Sequence, residues 1–549
     1  MNKSKFLLIP LLGTLSVSLI SCGDPVSSTL SSATTGAGFV DPALDGLEPT
    51  IDVSSQEGYK YGRDLFYYYN RQDQEYNIAL KTNNGHAVMP SRGRSKMLVV
   101  PVLFSDTTKT EQEKADMEES CRKAFFGAPE ETYWHSVQSY FYEASYHQLK
   151  IEGEVTKCFT LDQTNSYYAS KGTAMVNSIV ETIYKALFTG DNPTYKLEDF
   201  DANGDGVIDS IYMIQEHDYA EGFNWAYTTW HRNGLKKIEQ LGTYAWSSIQ
   251  FMTKKGSLSS PDSHTYIHET GHLLGLNDYY DYFNNNNAPT GASVMQAHNI
   301  CDHDPFSKYL FGWVSPKIIT DKNTESSITV ELKPFESSGD VVLLATDYND
   351  TAFDEYLMIE YYTPTGINAN DVNQVYEGTA GLNGTGVKVW HVDKRVYDSY
   401  LSKTGTGIDA KYTTYFDPNS SDDPNFKGGD IHKETEEIDY YATFSTNTSE
   451  NHNKDNFYIK NELELLRGNY KKDGYQVGQV ATDVDLFHEG DTFGAASDNF
   501  ANFEFYDVAE DVDYDAEPAD WDKTPKNQLA YSFKVESLGD TAKIVFTRK

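Results

Sequence analysis

"YIHETGHLLGLNDYYD", residues Tyr266 to Asp281, is the stretch on which the reading of this chain turns. His268 and His272 stand four residues apart. On a helix that spacing puts both imidazoles on one face, one turn apart, where they can reach a single ion. Glu269, beside the first histidine, is placed to take a proton from a water on that ion. Zinc suits the set, because it accepts imidazole at a tetrahedral site and keeps a position open for water. A His-Glu-x-x-His string should arise by chance only about 0.02 times in a chain of this length and composition.

Two histidines do not complete such a site. Gly275 follows the second histidine by three residues, and Asp278 follows Gly275 by three. A glycine there can take a positive φ and end the helix sharply. The chain then swings back and brings Asp278 to the ion, where a carboxylate oxygen is an acceptable third donor. Asp281, or a glutamate on another helix, competes for that place, and Asp278 could instead cap the helix exit or hold calcium. His264, one turn before His268, shares the face but is set aside as a ligand.

The chain has 549 residues, enough for two or three domains with full cores. Its formal charge of -37 repels phosphate backbones, so nucleic acid is not an expected partner. The start, "MNKSKFLLIPLLGTLSVSLISCG", has two early lysines, an apolar run, and small residues before a cysteine. That is the layout of a secretory signal, too short and wrongly flanked for a lone membrane-spanning helix. "LISC" looks like a bacterial lipobox, which would make Cys22 the lipid attachment site and place the protein on the cell surface, facing outside the cytoplasm. An ordinary export signal with an incidental cysteine is the plainer alternative. Cys121, Cys158 and Cys301 remain, allowing one disulfide at most, and none has the paired spacing of a zinc knuckle or redox motif.

Along the chain, residues 1–21 read as the signal peptide and 22–90 as a Ser/Thr/Gly-rich tether and possible pro-region. Residues 91–325 carry a buried strand at "KMLVVPVLFSD", helical segments at "TKTEQEKADMEESCRKAFFG" and "TAMVNSIVETIYKALF", a further strand at "SIYMIQEHD", and the metal-motif helix. Residues 326–549 are β-rich, with strands at "SSITVELKPF", "DVVLLATDY", "EYLMIEYYT", "GVKVWHVDKRVY" and the closing "LAYSFKVESLGDTAKIVFTRK". The polar stretch from about 400 to 460 reads as loops or a surface insertion. The expected class is α+β.

"DFDANGDGVIDS" places Asp201, Asn203, Asp205, Gly206 and Asp209 at positions 1, 3, 5, 6 and 9 of a calcium-loop pattern. Position 12 is Tyr212 where a true EF-hand has a bidentate glutamate, and a strand follows. Asp199 or a carboxylate from elsewhere would have to complete the shell. A structural calcium is the expectation, a plain acidic turn the alternative.

HExxHxxGxxD is a metzincin-like pattern, and the flanking strings resemble the immune inhibitor A-type family of secreted bacterial zinc metallopeptidases. "GASVMQAHN" matches the family's serine- and methionine-bearing turn with Ser293 and Met295, and "DPFSKYLFGWVSP" its Lys-x-x-x-Gly-Trp segment with Lys308, Gly312 and Trp313. "VLFSD", "DFDANGDGVIDSIYMI", "EYLMIEYY" and "GVKVWHVD" follow the family's order, so the likeness spans roughly residues 95–395. Asn277 stands where a proline is more usual and Thr270 where an aromatic is common, and neither removes a ligand.

The resemblance implies a zincin-like catalytic domain followed by the β-rich region, and zinc-dependent endopeptidase activity on extracellular proteins. His268, His272 and Asp278 would hold zinc, Glu269 would act as general base, Gly275 would make the turn and Met295 would pack beneath the metal. His298, Tyr279 and Tyr309 compete as the oxyanion donor expected on physical grounds. The chain is expected to be a monomer meeting protein or peptide substrates, and the membrane through the lipidated cysteine. A surface adhesion protein on a vestigial fold, or a metal-dependent hydrolase of a non-peptide substrate, are the alternatives.

Overall fold

The computed structural model describes residues 28–30 and 89–549, leaving aside 203, 205, 221, 231–237, 282–287, 347, 349–351, 353, 395, 405–406, 418–429, 435–446, 448–460, 469–479, 497–499, 502 and 506–526. Cys22, the export signal and nearly all of the expected tether lie outside the described residues, as do Asn203 and Asp205 of the expected calcium loop.

The apolar run near residue 100 folds as a strand because it alternates on two apolar faces. Leu98, Val100 and Val102 enter one core, and Met97, Val99 and Leu103 the other. The first sheet is built from β1 (Ser28–Leu30), β2 (Gly93–Leu103), β3 (Leu149–Val155), β4 (Phe159–Leu161), β5 (Ile211–Gln215), β6 (Tyr227–Trp230) and β7 (Thr243–Ser248). Its order is β1-β4-β2-β5-β7-β6, with β3 also pairing β2. β2 runs parallel to β3, β4 and β5, and β5 to β7, while β1 and β6 are antiparallel edges.

Helices cover both faces. On one side lie α1 (Glu111–Phe126), started by a Thr110–Glu113 capping box, and α2 (Val137–Ala144). On the other lie α3 (Asn165–Lys171) and α4 (Met175–Phe188), whose Val176, Ile179, Val180, Ile183 and Leu187 form a buried stripe. The metal-motif helix, α5 (His264–Leu273), packs on the same side as α1 and α2 and touches β6 and β7.

The second sheet draws its first strand from just before residue 326. β8 (Lys317–Ile319) already pairs in parallel with β10 (Val341–Leu344), before β9 (Ser327–Leu332). β10, β11 (Glu355–Tyr362), β12 (Gly386–Asp393) and a later strand at Leu463–Leu466 make a second sheet with β8. Its two faces divide residue by residue. Met358, Tyr362, Trp390 and Val392 join the core of α1, α2 and α5, whereas Leu357, Ile359, Val387 and Val389 join a third core. A separate sheet containing Ser327–Leu332, Tyr531–Leu538 and Ala542–Arg548 closes that third core.

The stretch from about 400 to 460, expected as loops or a surface insertion, carries strands where it is described. Val396–Thr404, Gly407–Asp417 and Asp430–Glu434 pair as a three-stranded antiparallel sheet. The polar residues disguised strands that also carry Tyr, Thr and Ile, residues that favour extended backbone. The architecture is therefore α+β with a distinct β-rich C-terminal part. Cys121, Cys158 and Cys301 are buried and form no disulfide with one another. Among the described residues no helix is long and apolar enough to cross a membrane.

Candidate metal centre

α5 is ten residues long, so His268 and His272 fall one turn apart on it. The helix stops in a Schellman motif: Leu276 N–H donates to Gly271 O (3.0 Å) and Gly275 N–H to His272 O (2.9 Å). Gly275 sits at the left-handed position with φ 105°, as its place in the sequence requires. The same turn places the Leu276 carbonyl 2.8 Å from His272 Nδ1 and directs the following residues back toward the helix.

There Asp278 Oδ1 lies 2.9 Å from His268 Nε2 and 3.1 Å from His272 Nε2, and the two Nε2 atoms are 3.1 Å apart. These three residues form the one His/Cys/Asp/Glu cluster among the described residues with donors close enough to share an ion. Asp281, the competing carboxylate, is buried but is not a member.

The donor set fits a small divalent cation. His268 Nδ1–H donates to Met295 O at 3.0 Å, and His272 Nδ1–H to Leu276 O, so both Nε2 lone pairs turn toward Asp278. The separations lie close to the tetrahedral edge of about 3.3 Å implied by metal–donor bonds of about 2.0 Å. With protons alone, burial works to lower the His272 pKa and the Asp278 carboxylate more than offsets it, holding it up at about 9. Burial also opposes ionisation of Asp278, yet His272 and His268 keep its carboxyl well below the usual range. A cation in the cluster takes over that role, which gives the three residues the capacity to bind a metal ion.

Glu269 is buried, and burial raises its pKa against the lowering pull of the two histidines. Thr228 Oγ1 on the edge strand β6 lies 2.9 Å from both Glu269 Oε2 and Glu269 O. Nothing in the sequence singles out Thr228, because it stands 41 residues away and reaches the site only through sheet pairing. Met295 is fully buried at the start of a four-residue helix, α6 (Met295–His298), and its carbonyl orients His268. Its contribution through the backbone was not legible either.

Two of the expected oxyanion candidates have other partners. Tyr279 is fully buried with its hydroxyl accepting from Ser307 Oγ (3.0 Å), and the Tyr309 hydroxyl meets that of Tyr348. His298 Nε2 is buried without a hydrogen-bond partner among the described residues, and burial lowers the His298 pKa. Tyr280, 37% exposed, lies over His268 with ring centroids 6.4 Å apart. His264 is no ligand: its ring bonds Asp262 and Asp371 and is stacked between Trp134 and Tyr376.

In the expected calcium loop, Asp209 Oδ2 accepts from Lys96 N–H (2.8 Å) and Asp201 Oδ2 from Gly206 N–H (2.8 Å). Both carboxylates are engaged in holding the turn.

No protein-family model and no curated protein matches the chain. Among solved structures it is similar to wild-type OgpA from Akkermansia muciniphila, at 10% identity over 63% of this chain and 93% of that one, with a TM-score of 0.22. A superposition that loose bears on neither activity nor substrate, so what this chain does has to be argued from the His268–His272–Asp278 cluster itself.

Proposed function

We propose that the chain is a zinc-dependent endopeptidase of the immune inhibitor A type. The observation that carries this reading is the three-donor cluster of His268, His272 and Asp278 with the buried Glu269 carboxylate on the same helix. Zinc bound there supplies a Lewis acid that activates water and polarises a carbonyl. Glu269 is the residue to take the water's proton and return it to the departing amine, and its burial raises its basicity for that task. Thr228 holds the Glu269 carboxylate in place through one hydroxyl. The lipid anchor at Cys22, the cell-surface location and a calcium in the 201–209 loop belong to the same reading and rest on the sequence alone.

The test is the Glu269→Gln variant assayed on unfolded casein. It should retain one zinc per chain and lose turnover by roughly 10²–10⁴-fold. A variant that cleaves as fast as the parent would remove Glu269 from the mechanism. A parent that holds zinc but cleaves a polysaccharide or ester and spares casein would shift the reading to a non-peptide hydrolase.

A further inference from the structure

The third ligand sits on a segment with no regular secondary structure, held from outside its own helix. Asn277 Nδ2 donates to Glu462 Oε2 at 3.0 Å. Glu462 is buried, its Oε1 pairs with Lys394 Nζ at 2.6 Å, and its carbonyl accepts from Asp393 N–H at 3.0 Å. On the other side of Asp278, Asn447 Nδ2 donates to Tyr279 O (2.9 Å) and Leu463 O (2.8 Å), while its Oδ1 accepts from Leu463 N–H (3.1 Å). The residues before and after the ligand are thus tied to two consecutive residues, 462 and 463, at the start of a strand of the second sheet.

We propose that Glu462 and Asn447 are positioning residues for Asp278, so that the β-rich region completes the metal centre. The inference rests on the metal-binding reading above. An irregular segment that must keep a carboxylate oxygen within about 0.5 Å of its working position needs such support, because its unfixed backbone otherwise retains conformational entropy that ordering on the metal would cost. The two side-chain ties, with the Tyr279 N–H bond to Gln296 O (2.9 Å), fix the segment on both flanks. Outer partners of this kind typically contribute 10–100-fold in metal affinity.

The experiment measures zinc affinity by chelator competition on the full chain, beside the unfolding midpoint of the metal-free form. Asn277→Ala, half-buried and mild, and Asn447→Ala should each weaken zinc binding by roughly 10–100-fold. Tyr361→Phe, which removes a hydroxyl bonded to Gly539 O far along the chain, should leave it unchanged. Should Asn447→Ala fail to fold, Asn277→Ala decides the matter. Lowered midpoints with zinc affinity within twofold of the parent would reduce these residues to ordinary structural contacts and overturn the proposal. A parent that takes up no zinc would overturn the metal-binding reading together with it, and is told apart from the first failure by the parent measurement alone.

Discussion

Gly271, in the middle of the His-Glu-x-x-His string, has a reason to lack a side chain. A Cβ there would stand 2.1 Å from Gln296 Oε1 and 2.6 Å from Gln296 Cδ, inside any tolerable contact. The helix after Ser293 therefore packs onto α5 at this glycine, and that close approach brings the Met295 carbonyl to His268. Gly271→Ala should destabilise the fold by about 1–3 kcal/mol through overpacking. Adding Gln296→Ala should recover most of that loss in a urea titration, since neighbours of this kind are coupled rather than additive. Equal losses in the single and double variants would show that the contact is not what limits this position. From the sequence, Gly271 is one of two unspecified residues between Glu269 and His272. The histidines, Glu269, Gly275 and Asp278 are legible because helix period and helix termination are local. Gln296 and Thr228 are not legible, because their approach is set by packing between distant segments.

At the level of the element, α5 is anchored at its first residue by a buried cluster. His264 Nδ1 lies 2.6 Å from Asp262 Oδ1 and Nε2 lies 3.1 Å from Asp371 Oδ1, with Trp134 and Tyr376 stacked on the two ring faces and His135 nearby. Burial acts to lower the His264 pKa, but the two carboxylates outweigh it and raise the value to about 9. A folded-state pKa above the unfolded value of about 6.5 means this stabilisation is complete below about pH 6.5. It is lost as pH rises through about 9, a change on the order of 3 kcal/mol. Urea midpoints of the parent at pH 6.5 and 9.5 should differ accordingly, and His264→Gln should reduce the difference, leaving the share that His272 contributes in the same range when no metal is bound. Parallel pH profiles for parent and variant would exclude His264 as the titrating group. β2, β5, β10, β11 and β12 of the two main sheets were readable for a similarly local reason, namely apolar runs that serve two buried faces, whereas β6, β7 and β8 carried no such run and were not expected. The 396–434 strands were not, because polar residues at alternating positions resemble loop composition when the sheet they join is unknown.

For the whole molecule, the apparent division into a metal domain and a β-rich domain conceals one shared core. Val99 and Tyr266 of the first part and Met358, Trp390 and Leu463 of the second belong to the same buried cluster. Metal binding should therefore stabilise the full chain rather than a fragment. Zinc at about a hundred times its Kd should add about 2.7 kcal/mol, seen as a rise in Tm that a chelator reverses. Asp278→Ala should lose most of that rise, and an unchanged response would place the ion elsewhere. Sequence by itself determined the α+β class, the two-histidine helix and its glycine stop, and put Asp278 ahead of Asp281 as the carboxylate that follows, since each depends on spacing within a few turns of chain. Only the tertiary structure decided that Asp278 rather than Asp281 meets the histidines, that Thr228 and Met295 hold Glu269 and His268, and that Glu462 and Asn447 reach the ligand segment. Those contacts join residues 6 to 185 positions apart. They follow from how faces pack, and no local period records them.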